Sequence, residues 1–405
     1  MDKLNVAIIG GGASGLFLGS LINVKNVAIF ERGDRVGKKL SATGNGQGNV
    51  SNLSCKEEGY FSFSARGKHL AQTHVTAYDM QDLKAFFEGL GVLLTADERG
   101  RVYPASKQAS ALTDALRFHV QRKGVKTYLN TKVIGIEKEN GLFRLQTEQG
   151  DFYAENVVLC TGGKSAKNFG TDGFSYALAE KFSHTLTPLY PALVQLKTET
   201  KNIKTLKGIR VSPARVRASW RENGKEISIE KEGDILFTEY GVSGDVIFRL
   251  SAFFTDKIEK GVSLSINFLP QFEAEEIYNV LEKKSGTQKE LPFSELLCGI
   301  VNNQVGRAIA KTVPEGDLRA LVKGAQNFSL AVTGSLGFDY AQVTKGGIDA
   351  NEVEDTLESK YEKGLYFAGE ILDIDGKCGG YNLAWAYASA KAVAKAIEKK
   401  HKGQV

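Results

Sequence analysis

The residues best suited to chemistry open the chain. Gly10, Gly12 and Gly15 are spaced for a phosphate-binding turn within Gly10-Gly11-Gly12-Ala13-Ser14-Gly15, between the apolar run Val6-Ala7-Ile8-Ile9 and a helical pattern. A second apolar run, Val27-Ala28-Ile29-Phe30, ends in Glu31, about 20 residues beyond the first glycine, the register of a ribose-binding acid. Gly10 permits a sharp turn, Gly12 lets a pyrophosphate approach the backbone, and Gly15 lets the helix pack on the strand. Free N–H groups around Ala13 and Ser14 then face the phosphates. Glu31 accepts hydrogen bonds from the two hydroxyls of an adenosine ribose, and Arg32 beside it belongs to the same contact set.

The segment after Glu31 favours FAD over a nicotinamide cofactor. A nicotinamide domain continues with further strand–helix units, whereas here Arg32-Gly33-Asp34-Arg35-Val36-Gly37-Lys38-Lys39 leads into the loop 41–49. Lys38 and Lys39 place cations near a pyrophosphate. Thr43, Gly44, Asn45 and Asn49 sit in a Gly/Asn-rich loop that brings backbone amides close to a ligand. Further on, the buried-strand pattern Asn156-Val157-Val158-Leu159-Cys160 ends in the turn Thr161-Gly162-Gly163, at the carboxyl edge of the sheet where ligands lie.

The chain resembles bacterial FAD-dependent oxidoreductases of the BaiN-like and aminoacetone-oxidase-like group. The segments that carry the resemblance are GGGASGL at 10–16, GKKLSATGNGQGNVSN at 37–52, RVYPASKQASALTDAL at 101–116 and LCTGG at 159–163. DILFTEYGVSGDVIFRLS at 234–251, AQVTKGG at 341–347 and GLYFAGEILDIDGKCGGYNLAWAYASA at 364–390 complete it. They run end to end in order. Departures fall near the expected flavin face. Much of the family has Arg-Cys at Gln47-Gly48, His at Glu239, Pro at Asp245, Gln at Ala384 and Gly at Lys345; Gln47-Gly48 is associated with the aminoacetone-oxidase-like branch. Cofactor binding is unaffected and the substrate is left open.

The resemblance implies a glutathione-reductase-like FAD domain. In that class a strand ending in Gly-acid holds the ribityl chain, here Gly369-Glu370, with Asp373 and Asp375 on the next turn. Gly379-Gly380-Tyr381-Asn382-Leu383 starts a long helix whose positive end faces the flavin N1–C2=O edge and stabilises the charge of the reduced ring. Val133, in Thr131-Lys132-Val133, is the candidate backbone contact to adenine. The catalytic candidates are Lys345, Tyr381, Asn45 and Tyr240, which orient substrate and handle protons while flavin N5 carries the hydride. Cys378, beside the glycine pair, is read as a small residue near the flavin.

The elements that must position these residues are those of an α/β protein. The discontinuous Rossmann-like FAD domain is expected at 1–190 and 336–405. A β-rich insertion at 191–265 and 315–335 covers one flavin face, and a small helical subdomain occupies 266–314. The spacing predicts a helix near 107–122, a meander over 131–153, helices over 273–284 and 291–304, and a terminal helix from Ala384 to Lys399. At 405 residues two or three domains are expected. No second strand–glycine–helix unit appears, so NAD(P)H would dock transiently.

Composition restricts the alternatives. Hydrophobic residues make up 42% and charged residues 24%, ordinary for a globular protein. No apolar run approaches the ~20 residues of a membrane span, and a strand begins almost at once, so a cytoplasmic protein without a signal peptide is expected. A net charge of +5 without a recognisable module argues against nucleic acid. Four scattered cysteines and five scattered histidines form neither a disulfide framework nor a metal set. The expected partners are a small-molecule substrate and oxygen, in a monomer or small homo-oligomer. The leading expectation is a hydride-transferring FAD enzyme of the amine (aminoacetone-type) oxidase kind. An NAD(P)H-dependent reductase of an unsaturated or keto substrate and a non-enzymatic flavin-binding interaction protein are the alternatives.

Overall fold

The computed structural model describes residues 3–56 and 58–403. The chain divides into two compact units, Met1–Tyr190 with Gln342–Val405, and Pro191–Ala341.

The first unit begins with β1 (Leu4–Ile9), α1 (Ala13–Leu21) and β2 (Val27–Phe30). Two short strands, β3 (Ser51–Asn52) and β4 (Tyr60–Phe61), precede the helices α2 (Ala65–Ala77) and α3 (Met80–Gly89). Then come β5 (Leu94–Ala96), β6 (Arg101–Pro104), α4 (Ala109–Arg122), β7 (Lys126–Tyr128), β8 (Val133–Glu139), β9 (Leu142–Thr147), β10 (Gly150–Leu159) and α5 (Tyr176–Glu180). The central sheet runs β7-β2-β1-β10-β9-β8. Ile8 lies opposite Ile29 and Val158 in parallel register. Every residue of β2 is buried, the continuous apolar pattern of a sheet covered on both faces. The long β10 changes partner along its length. Its first half pairs antiparallel with β9 in the meander, and its second half pairs parallel with β1.

After β11 (Tyr190–Ala192), the second unit contains β12 (Leu196–Thr198), β13 (Arg210–Glu222), β14 (Lys225–Phe237), β15 (Gly241–Ser243), α6 (Asp245–Phe254) and β16 (Ser263–Asn267). The helices α7 (Ala274–Thr287), α8 (Asn303–Ala310) and α9 (Leu318–Gln326) precede β17 (Phe328–Ser335). The strands close into a barrel in the order β12-β15-β14-β13-β16-β17, which leaves no open edge. Along β13, Ala214, Val216, Ala218 and Trp220 point inward, while Arg215 and Arg217 pair with Glu232 and Glu230 across the strand. Leu281, Ile309 and Leu321 from the three helices share one buried cluster with the barrel. The helix expected over 291–304 is shorter. Pro292 precedes a single turn at Phe293–Glu295, Gly299 takes a left-handed φ of 81°, and α8 starts only at Asn303.

The chain returns to the first unit with β18 (Val343–Lys345), β19 (Leu365–Phe367), β20 (Asp375–Gly376) and α10 (Tyr381–His401). β19 extends the sheet beside β10 in parallel, with Tyr366 opposite Val158. β20 pairs antiparallel with β4, Asp375 opposite Phe61. α10 packs on α1 and α2, where its buried alanines allow close approach. Among the described residues no helix is long and apolar enough to cross a membrane.

Candidate active site

Three glycines at the β1–α1 turn have three different surroundings. A Cβ on Gly15 would lie 1.9 Å from the Gly10 carbonyl oxygen, and one on Gly10 would lie 2.6 Å from the Cys160 carbonyl oxygen. Both are fixed by the packing of turn, helix and strand. A Cβ on Gly12 would meet no atom within 4 Å. The chain itself does not need that opening; a ligand approaching the backbone does. Gly12 caps α1 with no side-chain hydrogen bond, and its first turn holds no acid, so the positive end of the helix around Ala13 and Ser14 carries no competing anion.

Glu31 is pinned by two amides: Gly11 N–H donates to Oε2 at 2.9 Å and Gly33 N–H to Oε1 at 2.7 Å. The carboxylate is thereby fixed beside the glycine turn, with further lone pairs left to accept. The segment after β7 lies alongside, since Thr131 N–H donates to the Glu31 carbonyl and Asn130 N–H to that of Gly33. Val133 comes next, buried at the start of β8 and paired with Thr147. Arg32 reaches away from Glu31 to form a two-point pair with Asp172, at 2.8 and 3.0 Å. Lys38 pairs with Asp34 at 2.6 Å.

Lys39 and Glu370 join the two ends of the motif set. Lys39 Nζ donates to Glu370 Oε2 at 2.8 Å, and Thr344 N–H donates to Oε1 at 2.9 Å. Thr344 is itself a buried hub. Its Oγ1 accepts from the N–H groups of Lys164 and Ser165 at 2.8 and 2.9 Å. A Cβ on Gly163 would collide with that hydroxyl at 2.4 Å, so the turn Thr161-Gly162-Gly163 is pressed against it. Gly369, at φ +80°, would put a Cβ 2.8 Å from Ser14 Oγ, which sets the Gly-acid turn against the first turn of α1. Trp385 Nε1 donates to the Gly369 carbonyl, and Ser389 Oγ accepts from its N–H.

The start of α10 is built differently. Gly380 is left-handed, and a Cβ there would lie 2.1 Å from the Ser51 carbonyl oxygen. Asn382 ties the helix to β20 through both the N–H and the carbonyl of Gly376, at 2.9 Å each. Leu383 is half-buried against the core. Tyr381 is buried against Tyr60, with ring centroids 5.7 Å apart, and its hydroxyl reaches the Ser54 carbonyl at 3.4 Å. Cys378 is half-buried. In the glycine loop, Thr43 Oγ1 donates to the Leu40 carbonyl, and Asn45 is an exposed turn residue at φ 54° beside the left-handed Gly44. Asn49 is buried; its Nδ2 donates to Ser51 and Val102, and its Oδ1 has no partner.

Lys345 is buried at the end of β18, its Nζ 5.6 Å from the centroid of the Phe61 ring. Asp373 is fully buried. Its Oδ2 accepts from Ser62 Oγ at 2.8 Å and Phe63 N–H at 2.9 Å, while Oδ1 has no hydrogen-bond partner. Burial pushes its pKa up to about 6 against the two hydrogen bonds that favour the anion; Asp349 adds to the rise and the Lys345 ammonium weakly opposes it. Burial also pushes the Cys160 thiol up to about 12, the inert state of a core cysteine. Tyr240 belongs to the second unit, in the turn between β14 and β15.

FAD fits these residues. Gly12 leaves room for the pyrophosphate, two glycine-started helix ends carry no first-turn acid, and Asn49 Oδ1 and Thr161 Oγ1 stand buried without partners beside the loops. Glu31 would hold the ribose at one end and Glu370 would make a polar contact at the other. Among the described residues no group of His, Cys, Asp and Glu is arranged to hold a metal ion. Thr344, Asp172 and Ser62 are not singled out by sequence. Thr344 has a signal in its place beside Lys345, whereas the other two are joined to the site only by folding.

Known proteins resemble this chain along its whole length. The family described as HI0933-like protein Rossmann domain matches residues 4–396. A 3-dehydro-bile acid delta(4,6)-reductase of Clostridium scindens is 32% identical, over 98% of this chain and 99% of its own. A ribosomal RNA dihydrouridine synthase of Haemophilus influenzae is 28% identical, over 97% of this chain and 98% of its own. Among solved structures, 3-ketosteroid-delta4-(5alpha)-dehydrogenase from Rhodococcus jostii RHA1 shares the fold. Its TM-score is 0.50 at 14% identity, over 98% of this chain and 96% of that one.

Proposed function

Because the chain belongs to the HI0933-like family of FAD-dependent Rossmann oxidoreductases, we propose that it reduces a carbon–carbon double bond conjugated to a carbonyl in a ring substrate. The observation that carries this reading is the full-length likeness to two proteins whose named activities, a delta(4,6)-reduction and a dihydrouridine synthesis, each add hydrogen across an unsaturated ring bond. Bound FAD supplies the hydride at its N5. In this reading Glu31 holds the adenosine ribose, the α1 N-terminus the pyrophosphate, and Glu370 the ribityl chain through its Lys39-anchored carboxylate. The N-terminal dipole of α10 stabilises negative charge at the ring edge. Lys345 and Asp373 handle the proton that completes the addition.

An amine oxidase is the second reading. The feature that favours it is Lys345, a buried cation that can stabilise superoxide-like charge during reoxidation by oxygen. The test is product analysis with NADPH or NADH under nitrogen, offering a steroid-type enone, free uridine and an RNA fragment in turn, and with aminoacetone alone both under nitrogen and in air. A saturated product from any of the first three supports reduction and identifies its size class. Turnover of aminoacetone alone, and only with oxygen present, would replace it with the oxidase.

A further inference from the structure

We propose that Ser64, Ser62 and Asp373 form a proton-delivery path from the surface to the buried side of the active site. The inference rests on the redox reading above, because adding hydride and a proton across a double bond draws one proton per turnover from water.

Strand register creates the path. β4 and β20 pair with Phe61 opposite Asp375, so two residues along each strand's continuation Phe63 comes opposite Asp373. That register brings Phe63 N–H to Asp373 Oδ2 at 2.9 Å and Ser62 Oγ to the same oxygen at 2.8 Å. Ser62 Oγ lies 3.3 Å from Ser64 Oγ, and Ser64 is the half-exposed N-cap of α2, accepting from Gly67 N–H at 3.0 Å. The donors order themselves. Ser64 Oγ accepts at the helix cap and has its O–H to give to Ser62, and Ser62 gives its own to Asp373. A hydroxyl-to-hydroxyl-to-carboxyl chain therefore runs from partly exposed surface to a carboxyl with no exposure at all. Gly67 leaves it room, since a Cβ there would sit 2.2 Å from Ser62 Oγ.

The inner end is built to release a proton. Asp373 Oδ1 is buried and without a hydrogen-bond partner. The charged and titratable groups around the carboxyl are Lys345 from β18, Asp349 from the following turn, and Tyr176 from α5, which also lies in the field of Glu370. Burial, and less strongly Asp349, favour the neutral acid, whereas the hydrogen bonds from Ser62 and Phe63 N–H and, more weakly, the Lys345 ammonium favour the anion. The group is thus held near the point where it both keeps and yields a proton close to neutral pH. The steps balance. The Lys345 ammonium gives a proton to the carbanion that hydride addition leaves on the substrate, and the neutral acid returns one from Oδ1 to the Lys345 amine; the carboxylate accepts one at Oδ2 from Ser62, which is refilled from Ser64 and Ser64 from water; a half-turn of the carboxyl then resets it.

Two measurements test this. FAD-loaded protein, photoreduced beforehand, is mixed with a conjugated cyclic enone in weakly buffered solution with a pH indicator, for the wild type and the Ser62→Ala, Ser62→Thr, Ser64→Gly and Asp373→Asn variants. Ser64→Gly removes the hydroxyl while keeping a tolerated helix cap. Ser62→Ala, Ser64→Gly and Asp373→Asn are expected to slow proton uptake about 100-fold, the lower end of a positioned acid's contribution, and Ser62→Thr to restore it. Uptake at the wild-type rate in folded, loaded Ser62→Ala or Ser64→Gly would overturn the path. In FAD-free protein, the infrared carbonyl band of a neutral Asp should titrate near pH 6 and vanish in Asp373→Asn; a band unchanged in that variant would overturn the inner end. A failure of flavin loading or of all redox chemistry would instead count against the proposed function, and the infrared measurement is independent of both.

Discussion

Two helices begin at the candidate site, and their first glycines are held in opposite ways. Gly12, before α1, has an ordinary extended backbone with φ −77° and ψ −162°, and a side chain there would meet nothing within 4 Å. Gly380, before α10, is left-handed at φ +102°, and a side chain would run into the Ser51 backbone at 2.1 Å. Both look alike in sequence. At α10 the glycine answers to the chain itself, whereas at α1 nothing in the described chain requires it and the proposed pyrophosphate contact would. One substitution should therefore spare the fold and lose the ligand, and the other should damage the fold before any ligand is considered.

The largest expected effect tests the α10 half. Gly380→Ala should destabilise the protein by about 4 kcal/mol, combining left-handed strain with a backbone collision, and thermal unfolding measures it. A variant as stable as wild type would erase the contrast.

The α10 side also buries charge. Asp373 has a folded pKa of about 6 against an ordinary 3.8, so the folded state binds more protons than the unfolded one between these values. Stability therefore falls as pH rises from about 4 to about 6, and the full cost, roughly 3 kcal/mol, is present above that window. Asp373→Asn should flatten this part of the stability profile and unfold later than wild type at neutral pH. A parallel pair of profiles would show that the carboxyl is not desolvated.

Gly12→Val gives the complementary result. FAD affinity should fall about 100-fold, which is about 2.8 kcal/mol, while the FAD-free protein melts within about 0.5 kcal/mol of wild type. Loss of the fold here would mean that Gly12, like Gly380, serves the chain. Lys39→Met is the mildest change. It removes the link between the two motif ends and leaves Glu370 held by Thr344 N–H alone. We expect about tenfold weaker FAD binding, the scale of one charge-assisted contact, read by fluorescence titration.

The legible part of the sequence is local. The glycine spacing, Glu31 at the end of the second strand, the Gly369-Glu370 strand end and the long last helix are each announced by residue types within a few positions, and the structure places Glu31 against Gly11, Gly369 against Ser14 and Glu370 against Lys39. Side-chain partners across the fold are not legible. Arg32 stands among the expected cofactor contacts but pairs with Asp172, which lies 140 residues away. Tyr381, a catalytic candidate by sequence, packs on Tyr60 and Gly59, and that contact depends on how β4 meets β20. Asn45 takes a left-handed turn at φ 54°, a conformation its residue type favours, and the loop's composition does not show this. The overextended helix at 291–304 comes from apolar spacing that continues through Pro292 and Gly299, where the backbone cannot.

The central claim is the direction of electron flow through bound FAD. Anaerobic stopped-flow mixing tests it: enzyme reduced with NADPH or NADH is mixed with a conjugated cyclic enone, with oxygen, or with neither. The enone is expected to restore the oxidised flavin spectrum faster than oxygen does and to yield one saturated product per flavin. Enzyme that is bleached by an amine and reoxidised only by oxygen, with the enone inert, would contradict the claim.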